Sequence, residues 1–168
     1  MRILITAAAA TLLAACASTP DSSGPSAKVT LRPASGTKVQ GALTFTQIGD
    51  RVRITGEVSG HEPGPKGFHI HEKGDCSDPK AMSTGGHFNP AKVRHGALGM
   101  GHAGDLGNLV FNEQGRAAVN LTVSGISVSR DASNGIIGRA VIVHATTDDL
   151  KTDPTGNAGG RVACGVIQ

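Results

Sequence analysis

The sequence predicts an all-β fold, an antiparallel barrel or sandwich of about eight strands carrying two long functional loops. Two observations carry this. From Ala27 onward apolar and polar residues alternate at period two, and no helix-period segment of useful length appears. The chain also holds 24 glycines in 168 residues, about twice the usual share. Its aromatics are limited to Phe45, Phe68, Phe88 and Phe111, with no Trp or Tyr, so the core must come from Val, Ile, Leu and Ala. Short strands joined by Gly-rich turns suit that composition better than a helical bundle. The length suits one domain.

In chain order, residues 1–16 read MRILITAAAATLLAAC. Arg2 is a positive n-region, and Ile3 to Leu13 form an apolar stretch too short to span a bilayer comfortably. Leu13-Ala14-Ala15-Cys16 resembles the lipobox of bacterial lipoproteins, whose cysteine receives a diacylglycerol and becomes the mature N-terminus. The alternative is an ordinary cleavable signal with a chance cysteine. Residues 1–15 are therefore expected to be a lipoprotein signal peptide and Cys16 a membrane anchor. Residues 16–26, small, polar and Pro-containing after the cysteine, read as a flexible tether, and 27–168 as the domain. The expected location is exported and periplasm-facing. Position 18 is Ser, not the Asp associated with inner-membrane retention in some bacteria, which favours the outer membrane.

The strands follow. Val29 and Leu31 alternate with Lys28, Thr30 and Arg32. Val39, Gly41, Leu43 and Phe45 form a second strand, and Val52, Ile54, Gly56 and Val58 a third. Ile48-Gly49-Asp50 between those two reads as a hairpin turn. Gly67-Phe68-His69-Ile70-His71 is the fourth. Residues 106–111 and 117–123 flank a turn at 112–115, and 138–145 and 161–167 are the last two strands. The run 128–134 has room for one short turn. Residues 73–105 and 146–160 break the pattern, and loops this long in a compact domain usually carry function.

A net charge of +3 with scattered Lys and Arg gives no basic run or basic helix, so nucleic-acid binding has little support. Six of the seven histidines lie between His69 and His144. Neutral imidazole is the commonest ligand for copper and zinc. Alternation puts Phe68 and Ile70 on the core face, so His69 and His71 point outward beneath the loops. Val141 and Val143 do the same for His144. The first long loop adds His87, His95, His102 and Asp105, and three imidazoles with one carboxylate make a closed tetrahedral set typical of structural zinc. Three cysteines is an odd count for an exported protein. If Cys16 is acylated, Cys76 and Cys164 remain, and an oxidising compartment would pair them.

In order along the chain, GFHIHEKGDC, GGHFNP, HAGDLGN, GRAVIVHATTDDL and GNAGGRVACGVI resemble the motifs of copper/zinc superoxide dismutases, and the resemblance covers nearly all of residues 28–168. It implies a Greek-key β-barrel and dismutation of superoxide to dioxygen and hydrogen peroxide. It implies copper on His69, His71, His87 and His144, and zinc on His87, His95, His102 and Asp105, with His87 shared as an imidazolate made possible by two adjoining cations. Asp148 would orient His69 and His95. Arg161 would hold the anion beside copper, His87 would carry a proton to peroxide, and Cys76 and Cys164 would form the disulfide. The chain departs from eukaryotic members in a shorter loop between His144 and Arg161, without a Glu pair or Lys in its second half, and in a longer run between Cys76 and His87. Monomer and homodimer both stay open, and His61, matching no ligand position, reads as a solvated loop residue. Two other readings are a metal carrier on the same fold and a zinc hydrolase. Dismutase-like carriers have lost copper ligands, whereas no ligand is missing here. A zinc set of four leaves no open water position for hydrolysis.

Overall fold

The computed structural model describes residues 23–168. The proposed leader 1–15, the anchor Cys16 and tether residues 17–22 lie outside the described residues. Eight antiparallel strands form a nearly closed barrel in the order β5-β4-β7-β8-β1-β2-β3-β6. They are β1 Ser23–Pro33, β2 Gln40–Ile48, β3 Arg51–Ser59, β4 Gly64–His71, β5 Asp105–Phe111, β6 Arg116–Val123, β7 Ala140–His144 and β8 Arg161–Val166. Apart from a 3-10 turn at Met82–Thr84, no helix occurs among the described residues.

Each expected strand forms, for a physical reason visible in its alternation. Leu43 and Phe45 of β2, Val52 and Ile54 of β3, and Val119 and Val123 of β6 are buried while the residues between them are exposed or half-buried. Each such side chain, moved from water into the core, contributes about 1.5–3 kcal/mol. β2 and β3 pair from Gln40↔Ser59 to Ile48↔Arg51, leaving Gly49-Asp50 as a two-residue turn. Gly49 there has φ +58°, a conformation that tight hairpins require and a Cβ disfavours.

β1 joins the two halves of the barrel. It pairs with β2 along most of its length, and with β8 at Arg32↔Cys164 and Pro33↔Ala163. It also starts earlier than its apolar pattern, taking in residues 23–26 of the segment read as tether, with Ser23 set against Ile48 across a register shift. The backbone ladder needs no apolar side chain, so polar alternation hid this extension. The outer strands β5 and β6 are joined by a turn in which Asn112 Oδ1 accepts the N–H groups of Gln114 and Arg116. The run 128–134 is bends and turns closed by a Ser127↔Gly135 bridge.

β4 and β7 differ from the alternating strands. All of β7 and the residues from Lys66 to His71 in β4 are buried. Phe68, Ile70, Val141 and Val143 face the main core. The opposite face, carrying His69, His71 and His144, is covered by loops 72–104 and 145–160.

Candidate metal centre

His69 and His71 stand on β4 opposite Ile142 and Ala140 of β7, and His144 ends β7 against Arg161 of β8. Register shifts fall between Gly67 and His69 on β4 and between Val143 and His144 on β7. Such bulges re-aim side chains at strand ends. The first loop folds back onto β4 through an isolated bridge, His71↔His87, with Phe88 N–H donating to Ile70 O at 2.8 Å and Glu72 N–H to Gly86 O at 3.0 Å. His87 thereby joins His69, His71 and His144 in one group whose donor atoms lie within 4.8 Å of one another. The same limit holds for a second group, His87, His95, His102 and Asp105. His87 belongs to both, and all seven residues are buried. Asp105, expected in the loop, is the first residue of β5.

The far side of each ring fixes which nitrogen faces inward. His69 Nε2 donates to Asp148 Oδ2 at 2.7 Å, His71 Nδ1 to Gly85 O at 3.0 Å, and His144 Nδ1 to Gly159 O at 3.1 Å. These tautomers follow from the partners, which only accept. His69 Nδ1, His71 Nε2, His87 Nε2 and His144 Nε2 are left buried without a hydrogen-bond partner. A lone unsatisfied buried polar atom costs about 1–3 kcal/mol, so four converging ones demand a common occupant, and an all-imidazole set suits copper or zinc. In the second group, Nδ1 of His87, His95 and His102 lies 2.8, 3.0 and 3.2 Å from the Asp105 carboxylate. The His95 contact is not aligned as a hydrogen bond. Ligands about 2.0–2.1 Å from a tetrahedral zinc sit about 3.3 Å from one another, so this group also fits a cation.

Electrostatics prepare the first group. Burial holds the His69 pKa down to about 4 despite its Asp148 partner. Burial, with His69 and His87 adding to it, brings His144 to about 3. His71 lies well below the ordinary histidine value through burial and the nearby His144 and His87. At neutral pH these three rings are neutral and a cation need displace no proton. Burial pushes Asp148 up, but hydrogen bonds from His69 and His95 outweigh it and leave it at about 2. Asp105 is likewise lowered: burial opposes, while His87 and the Gly96 N–H outweigh it. His95 is shifted upward, since its carboxylate partners Asp148 and Asp105 outweigh burial.

Asp148 is the hinge between the groups, its Oδ2 on His69 and its Oδ1 on His95 Nε2 at 2.9 Å. It is held in turn by Leu150 N–H at 2.7 Å and by Asn108, which donates to Asp148 O and accepts from Asp148 N–H. Gly156, at φ +62°, lets the second loop approach, because a Cβ there would collide with Asp148 Oδ1. Arg161 donates through Nη1 to Ala81 O and Thr84 Oγ1, and through Nη2 to Gly85 O at 2.7 Å. Gly85 O also receives His71, so the guanidinium adjoins the first group. Cys76 and Cys164 form a disulfide with Cα atoms 5.8 Å apart, tying the first loop to β8.

Sequence reading missed several supports: Asn108, Thr84, Asp153 and the carbonyls of Gly85 and Gly159. Carbonyl orientation leaves no trace in side-chain type. For Asn108 a signal existed in its position on β5 facing the second loop. His61 is a correction: it is partly buried, packs against Phe111 with ring centroids 5.0 Å apart, and sets its Nε2 3.2 Å from His144 O. The β3–β4 connection folds over the end of β7, which spacing alone does not reveal.

A nearly closed antiparallel barrel with two adjoining groups of buried His and Asp ligands defines a class of β-barrel with candidate paired metal sites. The chain belongs to the copper/zinc superoxide dismutase family, whose model matches residues 39–167. It is also similar to the crystal structure of the clock protein EA4, at 46% sequence identity and a TM-score of 0.75, covering 84% of this chain and 92% of that one.

Proposed function

We propose that this chain is a superoxide dismutase, turning two superoxide ions and two protons into dioxygen and hydrogen peroxide. The observation that carries the reading is the convergence of four partnerless imidazole nitrogens, on His69, His71, His87 and His144, beside Arg161. These four would hold copper, and His87, His95, His102 and Asp105 would hold zinc, with His87 shared. When bound, copper supplies a one-electron couple that oxidises one superoxide and reduces the next, and zinc supplies fixed charge without redox chemistry.

The chain's own residues do the rest. Three of the five Arg161 N–H bonds are spent on Ala81, Thr84 and Gly85. Nε–H and one Nη2–H remain to bind and orient a diatomic anion. His87 turns Nδ1 to Asp105 Oδ1, 2.8 Å away, so Nε2 is the atom that, when not engaged by the metal, would take up a proton and pass it to the reduced substrate. Asp148 fixes the rings of His69 and His95. The loops bury the whole set and limit water access.

Metal analysis of the purified, metal-loaded chain should give one copper and one zinc, with rapid superoxide decay. His144→Ala should abolish the decay and lose copper while keeping zinc. Normal dismutation by that variant would show that copper is held elsewhere.

We further propose that the protein is an exported, periplasm-facing lipoprotein, anchored at Cys16 in the outer membrane. The leader-like residues 1–16 and the Cys76–Cys164 disulfide support this. Cys16→Ser should release it from membranes, and unchanged fractionation would remove the lipid.

A further inference from the structure

The second loop brings a further carboxylate to the zinc-type group. Asp153 Oδ1 accepts the backbone N–H of His95 at 2.7 Å, and the same oxygen lies 3.8 Å from His102 Nε2. Asp148, on the same loop, already binds His95 Nε2. The outward edge of the second group is thus faced by two acidic residues from loop 145–160, one on each side of His95. His102 is buried and presents Nδ1 to Asp105, so its outward atom is Nε2. Among the described residues no protein group forms a hydrogen bond with Nε2, and Asp153 is an acidic residue facing it. The Asp153 side chain is 43% exposed, which leaves it free to close 3.8 Å by a small rotation or through one water.

We propose that Asp153 is a positioning residue for the zinc-type group, holding His95 by its backbone and His102 by its outer ring nitrogen, and so tying retention of zinc to the order of the second loop. The inference rests on the metal assignment proposed above. A ligating imidazole with Nδ1 on the cation carries its proton on Nε2, and an acceptor there fixes the ring plane and makes the ligand more basic. Asp105 and the three rings supply the bonds, and Asp148 orients His95. Among the described residues, Asp105 and Asp153 are the acidic groups paired with the His102 ring. Asp153 touches neither the first group nor Arg161 in any hydrogen bond or ion pair found among the described residues. The effect should therefore be selective for one of the two cations.

The experiment measures zinc release from the full chain to a chromogenic chelator, alongside thermal unfolding of the metal-free and zinc-loaded forms. Asp153→Ala should release zinc at least about tenfold faster, the order expected when such an outer partner is lost. Asp153→Asn, which keeps the acceptor for the His95 N–H but loses the charge facing His102, should fall between. The copper visible spectrum should be unchanged in both. A purely structural role in the loop would lower the melting temperature of the metal-free and zinc-loaded forms equally. The proposal requires that the zinc-dependent increment shrink. Wild-type release from Asp153→Ala, or equal melting losses in both forms, overturns it. If instead the wild-type chain takes up no zinc, or Asp105→Ala leaves uptake intact, the metal assignment itself fails, and the two failures are told apart.

Discussion

At His69 one ring joins the first group to the second loop: Nε2 reaches Asp148 while Nδ1 faces the donors of His71, His87 and His144. The same burial that keeps this ring neutral has a consequence for stability. An unfolded histidine titrates near 6.5, whereas the folded His69 and His144 titrate near 4 and 3. As pH falls below about 6.5, the unfolded chain binds protons that the folded chain refuses, so unfolding becomes easier. The loss continues until pH approaches the folded values and then levels off. Above pH 6.5 this contribution is complete and constant. Asp148 adds a loss of the same sign at lower pH, between its ordinary value of 3.8 and about 2. Each unit of displacement corresponds to about 1.4 kcal/mol. His95, shifted upward, acts in the opposite sense and offsets part of the loss. The metal-free protein should therefore lose several kcal/mol between pH 7 and 4, read as a falling melting temperature. A flat profile would mean that the folded rings accept protons freely, contrary to their burial.

At the level of elements, alternation made the strands legible because each has one face on the core and a polar face opposite. β2, β3 and β6 obey this rule in their burial as well. β4 and β7 obeyed it in residue type but not in environment, since their histidine face is covered by loops. The position of His87 was legible only as a residue on a loop. The backbone bridge that sets it against His71 depends on hydrogen bonds of Phe88 and Gly86, in the irregular loop, with Ile70 in β4 and Glu72 just after it. The loop ends are pinned covalently: Cys76 and Cys164 are separated by 88 residues. Closing a loop of that length in the unfolded chain is worth about 4–5 kcal/mol in the chain-entropy account. The bridge also fixes the segment from which Ala81 O and Thr84 hold Arg161. Cys76→Ser together with Cys164→Ser should therefore lower stability by several kcal/mol in denaturant titration. It should also weaken substrate handling more than metal content. Variants that lose both metals in step with stability would show that the disulfide supports the barrel alone.

For the molecule as a whole, two kinds of order meet at one face of the barrel. The strands are held by continuous ladders and one main apolar cluster. Loops 72–104 and 145–160 carry little regular ladder and are ordered by side chains: Asp148 between His69 and His95, Asp105 among His87, His95 and His102, Asp153 on His95, and Arg161 on Ala81, Thr84 and Gly85. Several of these contacts run through groups that suit metal binding. Segments with few ladder bonds sit at the low end of the range of local opening energies, and ligands that bind only their closed form raise that energy. Removing metals from the loaded protein with a chelator should therefore raise amide exchange in both loops by at least about tenfold, equivalent to about 1.4 kcal/mol of local stability. β1, β2, β3 and β6, which lie away from the donor groups, should stay protected. Because each loop bears on the other through Asp148 and Asp153, the two should loosen together. Loss of protection in the barrel strands to the same degree would instead make metals and fold one cooperative unit. Independent loosening of the two loops would show that the Asp148 and Asp153 contacts carry no coupling between them.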